Sequence, residues 1–258
     1  MVSDLSIIFM FVSLVIAFLF PIGLVIFMYR RYRISLRAVF VGALVFFVFQ
    51  GIIRIPLLAY FGNQSWYISL AQNTFLTALF LGLTAGIFEE VGRLIGIKLF
   101  LKKYLSWKNG VAFGIGHGGI EAILLLGMNS LANLMYSSLI NTGSFDTVIG
   151  SKISGELAAQ IKNTLISAPS YMFLVGGIER IFAITIQIGL SLIIFYAVMK
   201  RRYIYVLYAI LLHALIDSPI AFIQKFGVFA AEGYTLLWAM ISLAFIVKSR
   251  DIFKSLEK

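Results

Sequence analysis

Residues 5–29 read LSIIFMFVSLVIAFLFPIGLVIFMY, without one charged side chain, and are followed by Arg30, Arg31, Arg33 and Arg37. About 20 helical residues cross the ~30 Å of bilayer hydrocarbon. A run this long satisfies its own backbone as a helix, whereas a membrane strand would show shorter alternating segments. The run is preceded by Asp4 rather than by a basic region. It exceeds a signal-peptide core and shows no small-residue cleavage site, so it reads as a retained anchor with the N-terminus outside.

Six further runs of the same kind lie near 37–60, 67–97, 109–140, 170–199, 203–222 and 227–247. The expected fold is all-α, a polytopic transmembrane helical bundle of about seven spans in a single integral-membrane domain, 1–258. Composition agrees: 61% of the 258 residues are hydrophobic and 12% charged, with mean hydropathy +0.99. A soluble domain carries about 25% charged residues, so an ordinary cytosolic enzyme and a disordered chain are both excluded. No internal repeat, low-complexity tract or soluble domain is visible.

The net charge of +10 would suggest nucleic acid in a soluble protein. Here the basic residues cluster at every second connection: after the first run, then at Lys98, Lys102, Lys103 and Lys108, at Lys200, Arg201 and Arg202, and at Lys248, Arg250, Lys254 and Lys258. These are 15 of the 21 Lys and Arg. Positive-inside bias makes that side the cytoplasm and leaves the C-terminus there. The expected partner is the lipid bilayer of a cell membrane, with no nucleic acid and no nucleotide. Residues 142–168 form one long polar-leaning connection with Leu157, Ile161 and Leu165 at helical spacing. They read equally as an amphipathic helix at the outer interface or as a mobile outer loop. Trp66, Trp107 and Trp238 are expected near span boundaries.

With no cysteine, thiolate nucleophiles and Cys-ligated zinc are excluded. No HExxH, P-loop or GxSxG occurs. The remaining chemistry lies in the ionisable residues inside the spans, each costing about 2.5–3.5 kcal/mol on insertion. They are Arg54, Glu89, Glu90, Arg93, His117, Glu121, Glu179, Arg180, His213 and Asp217.

Both histidines precede an acid by four residues, His117 with Glu121 and His213 with Asp217. That spacing puts both side chains on one helical face. Glu89 and Glu90 are adjacent, with Arg93 one turn on as the cation that lets them ionise. The bland alternative is a buried ion pair that locks two helices. At about 1.5 Å per residue, Glu89, His117 and His213 all lie roughly 14–16 Å from the basic face. Arg54 and Glu179 fall in the outer half and are expected to pair with each other, the alternatives being a substrate gate or a bent helix that brings Glu179 to the site.

Two histidines and one or two carboxylates from separate helices suit a zinc-like divalent ion with a position left for water. The candidate ligands are His117, His213, Asp217 and Glu121. The same groups also suit a metal-free route, in which glutamate and histidine activate water. Either arrangement can hydrolyse a peptide bond within the membrane.

Glu89-Glu90 with Arg93, Phe113-x-x-x-His117 and His213-x-x-x-Asp217, each on its own span and in this order, resemble the three motifs of the CPBP family of CAAX-processing and bacteriocin-processing intramembrane proteases, in particular its YhfC-type branch. The likeness covers a motif-bearing core of about 67–222. It implies a bacterial endopeptidase of metallo or glutamate type acting on a membrane peptide or protein. Glu89 and Glu90 would supply the water-activating carboxylate, with His117 as partner, while His213 and Asp217 bind metal or stabilise the oxyanion. In the family the third motif usually ends in asparagine, where this chain has Asp217, and three residues usually precede the arginine, where this chain has Val91 and Gly92. Two other classes fit intramembrane Glu, Asp and His: a proton-coupled transporter, and a non-catalytic membrane scaffold or immunity protein.

Overall fold

The computed structural model describes residues 1–256, so Lys258 of the last basic cluster lies outside the described residues. Among the described residues there is helix and no strand. Seven helices are long and apolar enough to span a membrane: α1 (Asp4–Tyr32), α2 (Leu36–Phe61), α3 (Thr74–Phe100), α4 (Trp107–Asn141), α5 (Ser170–Lys200), α6 (Ile204–Phe226) and α7 (Val228–Lys254). The chain is a multi-pass membrane protein.

Local chemistry sets the helix ends. The third span starts later than the hydropathy suggests, because the Asn73 side chain accepts from the backbone N–H groups of Phe75 and Leu76 at 3.0 and 3.1 Å. This cap satisfies two orphan donors and starts α3 at Thr74. Residues 65–71, with Trp66, form a short separate helix. Arg33 and Arg201 follow α1 and α5 at φ 53° and 55°, the left-handed conformation that commonly closes a helix. The connection at 142–168 contains a helix, Gly155–Ser167, capped by Ser154. Its Leu165 is buried and Ile161 packs on the same cluster, but Leu157 is exposed. Trp238 sits mid-way along α7 against Ile186, Leu190, Ile216 and Ala239, not at a boundary.

The chain divides into two compact units. One comprises Met1–Phe20 and Ala122–Ile181. Its polar ties are neutral: Val2 and Asn141 exchange hydrogen bonds of 2.7 and 3.0 Å, and the Ser6 and Ser170 hydroxyls meet at 2.9 Å. Val2, Met10 and Leu165 form its apolar cluster.

The other unit, Pro21–Glu121 and Phe182–Lys258, contains every motif residue named above. Its helices approach through glycines, as expected where lipid is as apolar as the helix and close packing must supply the attraction. On α4, Gly110, Gly114 and Gly118 lie against Leu192, Ile188 and Ile184 of α5. The opposite face of α4 meets α2: a Cβ on Gly116 would come 1.9 Å from the Val39 carbonyl oxygen, and one on Gly42 would come 2.1 Å from that of Phe113. On α3, Gly82 and Gly86 meet Ser218 and Ile210 of α6. These stripes bring α2, α3, α5 and α6 into range of the polar side chains that follow.

Candidate functional site

On α3, Glu89, Glu90 and Arg93 occupy successive inward positions and are 3, 0 and 0% exposed. One Arg93 guanidinium nitrogen lies 3.1 Å from Glu90 Oε1, and the other donates to Glu89 Oε2 at 3.2 Å. The arginine thus compensates both carboxylates. Removing one member of such a buried set costs about 3–5 kcal/mol, because the others are left unpaired.

The two glutamates then part company. Glu89 Oε2 meets His117 Nε2 at 2.9 Å, whereas Glu90 Oε1 meets His213 Nδ1 at 2.8 Å. His117 is fully buried, edge-on to Phe46 with ring centroids 5.2 Å apart and stacked on Phe113 at 6.3 Å. Its Nδ1 is buried without a protein partner. His213 Nε2 faces Asp217 Oδ2 at 3.4 Å and Glu89 Oε1 at 4.0 Å. The Asp217 side chain, 42% exposed, is the open edge of an otherwise closed cluster. Glu121 does not join His117; its Oε2 accepts from Gln187 Nε2 at 2.7 Å.

Two uncharged residues complete the arrangement, and charge counting along the sequence passes over both. Gln187 on α5 accepts from Arg93 and donates to Glu89 Oε2 at 3.2 Å as well as to Glu121. Gln50 on α2 donates to Glu89 Oε1 and accepts from Arg54 Nη1 at 3.0 Å. Each is the sole amide side chain in its apolar run, a signal that counting every polar group at membrane depth would have caught. Gln50 and Arg54 lie in a wide π-helical segment, Phe47–Arg54. Such segments are rare and gather at functional sites. Arg54 also donates to Leu81 O at 2.7 Å and to Thr84 Oγ1. The expected Arg54–Glu179 pair is therefore corrected: Arg54 bonds within its own unit, and Glu179 accepts from its neighbour Arg180.

In kind, the donors fit a zinc-like ion: two imidazoles and several carboxylates at one level. With Glu90 accepting from Nδ1, neutral His213 carries its lone pair on Nε2, the carboxylate-oriented arrangement usual for a metal-ligating histidine. No three His, Asp or Glu side chains among the described residues converge at coordinating distance, however. Glu89 occupies the space between the two Nε2 atoms as a hydrogen-bond partner.

Residues 16–236 match the model of a family described as YhfC intramembrane metalloprotease. The chain belongs to the YhfC family. It is also 40% identical, over 98% of its length and 100% of the relative's, to an uncharacterized membrane protein YhfC of Bacillus subtilis (strain 168). No solved structure matches the chain. The matched YhfC region contains Gln50 and Gln187 as well as the motifs on α3, α4 and α6.

Proposed function

We propose that this YhfC protein is an intramembrane endopeptidase that hydrolyses a peptide bond of a membrane-embedded or membrane-proximal substrate near the cytoplasmic leaflet, with Glu89 as the base that activates water. The observation that carries this reading is the environment of Glu89. One carboxylate is held by four groups from four helices: Arg93 beside it, His117 on α4, Gln187 on α5 and Gln50 on α2. These donors hold the carboxylate ionised and in place, and it takes a proton from water as one of them withdraws. The sequence around it matches the model of a family described as YhfC intramembrane metalloprotease.

In this reading, Glu90 is a positioning residue that orients His213, and Arg93 keeps both glutamates ionised. With Glu89 ionised, the proton between Glu89 Oε2 and His117 Nε2 sits on His117. The half-exposed Asp217 marks the edge where water and substrate enter. His117, His213 and Asp217 are the residues that would hold a zinc-like ion, leaving Glu89 as the base. When bound, such an ion polarises the scissile carbonyl and lowers the pKa of its water towards neutrality. Glu121, bonded to Gln187, supports the site from behind.

The test is a comparison of new protein N-termini in membranes of bacteria expressing the chain or its Glu89→Gln variant at equal levels. Termini within or beside membrane spans that require Glu89 are expected. If the same termini form with folded Glu89→Gln and His117→Ala proteins, the peptidase reading fails. Elemental analysis of the purified chain beside a His117→Ala/His213→Ala variant tests the ion: stoichiometric zinc in the first alone supports a metal site, and equal negligible metal in both supports the metal-free route.

A further inference from the structure

Away from the buried cluster, the ends of α1, α4 and α7 form an open pocket of about 190 Å³, lined by Tyr32, Ser106, Trp107, Lys108, Arg250 and Lys254. All six belong to the unit that contains the motif residues. The volume exceeds the ~30 Å³ share of a single water several times over. Its walls are tied together. Tyr32 and Trp107 meet edge to face with centroids 6.0 Å apart, and Trp107 Nε1 donates to Ile246 O at 3.0 Å and to Ser249 Oγ at 3.2 Å. The Arg250 guanidinium lies over both rings, 5.6 Å from Tyr32 and 5.7 Å from Trp107, and Arg31 lies 5.4 Å from the Tyr32 ring.

The charge in this pocket is one-sided. Lys254 pairs with Asp251 at 3.0 Å, but no carboxylate among the described residues pairs with Arg31, Lys108 or Arg250. Lys108 and Arg250 are exposed, so water screens part of their repulsion, and like charges gathered around one cavity draw an anion to it. Beside these two rings the Arg250 guanidinium offers N–H donors of the kind that suit a phosphate. The place selects the source of that phosphate. The pocket sits where three apolar spans end, beside a Trp and a Tyr of the kind that mark the headgroup level. Basic pockets between transmembrane helices are where anionic headgroups bind.

We infer that this pocket binds the headgroup phosphate of an anionic phospholipid. The site is independent of the peptidase reading. Phosphatidylglycerol binds there in preference to phosphatidylcholine, with Arg250 and Lys108 contacting the phosphate and Trp107 reporting occupancy. Two basic contacts at about 1 kcal/mol each correspond to roughly 30-fold in affinity.

The test uses the full chain purified in neutral detergent, titrated with phosphatidylglycerol or phosphatidylcholine. Trp107 fluorescence is followed against a Trp107→Phe control, and bound lipid is counted by native mass spectrometry. The expected result is one tightly held phosphatidylglycerol, weakened roughly 30-fold in Lys108→Gln/Arg250→Gln, weakened less in Arg250→Lys, which keeps the charge but loses the guanidinium donors, and little changed in Lys102→Gln/Lys103→Gln. Equal weakening by both double variants would mean diffuse attraction to a basic face and overturns the site. Equal binding of phosphatidylcholine overturns it as well, and inorganic phosphate competing at its own comparable affinity overturns the lipid as the source.

Discussion

His117 and His213 each stand four residues before an acid, yet only His213 meets its own. His213 Nε2 lies 3.4 Å from Asp217, while His117 bonds to Glu89 and Glu121 turns to Gln187. His117 is sealed between Phe46 and Phe113, whereas His213 sits beside a side chain that is 42% exposed. Helical spacing puts two groups on one face, but neighbouring helices decide whether they bond. Here α3 supplies a different glutamate to each imidazole, so two motifs with one spacing acquire two roles.

Breaking the inner pair should have the largest effect. Glu89→Gln and His117→Ala are each expected to lower cleavage by about 10²–10⁴-fold, the usual contribution of a positioned acid or base. Initial rates on a substrate identified through its Glu89-dependent terminus check this, with helicity and monodispersity as controls for folding. Activity near the wild-type level in either folded variant would move the base elsewhere.

The outer pair should matter less. Glu90 orients His213 without facing the open edge, so Glu90→Gln, which keeps a hydrogen-bond acceptor, should cost roughly 10–100-fold, in the range of a lost orienting partner. A loss as large as that of Glu89→Gln would reverse the assignment of the two glutamates. Metal content measured in parallel separates an effect on ion binding from one on the water.

Gln187 joins the two halves of the comparison by touching Arg93, Glu89 and Glu121 at once. Gln187→Ala leaves a guanidinium N–H and carboxylate oxygens short of a partner in a buried place. It should destabilise the protein by about 1–3 kcal/mol, read as a lower unfolding midpoint in detergent. An unchanged midpoint would mean that water replaces the amide fully.

The charged members of this cluster were legible in the sequence because burying a charge is costly, and ten such residues in apolar runs need a reason. The common level of Glu89, His117 and His213 was legible too, since helical rise is nearly constant. Gln50 and Gln187 were passed over, because a count of charges leaves out neutral amides even where each is the sole one in its apolar run. Arg54 was misassigned by the same depth arithmetic that worked elsewhere. Its side chain folds back one turn to Gln50 and across to Thr84 in a segment that is π-helical, so depth along an ideal helix said little about its partner. Trp238 was placed by residue type, and packing on Ile186 and Ile216 overrode that preference.

Asp217 offers the smallest and most discriminating effect. Its carboxylate is partly solvated, so its attraction to His213 contributes little to the fold, and Asp217→Asn should change stability by less than about 1 kcal/mol. The substitution keeps the shape and a hydrogen-bonding oxygen beside Nε2 while removing one negative charge. If Asp217 serves only to polarise His213, cleavage should survive with little change. If it helps hold a cation, retained zinc should fall while the unfolding midpoint stays put, a combination that general damage to the helix packing would not produce. The half-exposed acid that distinguishes the second histidine from the first is thus the residue at which the metal and metal-free readings diverge without disturbing the buried cluster.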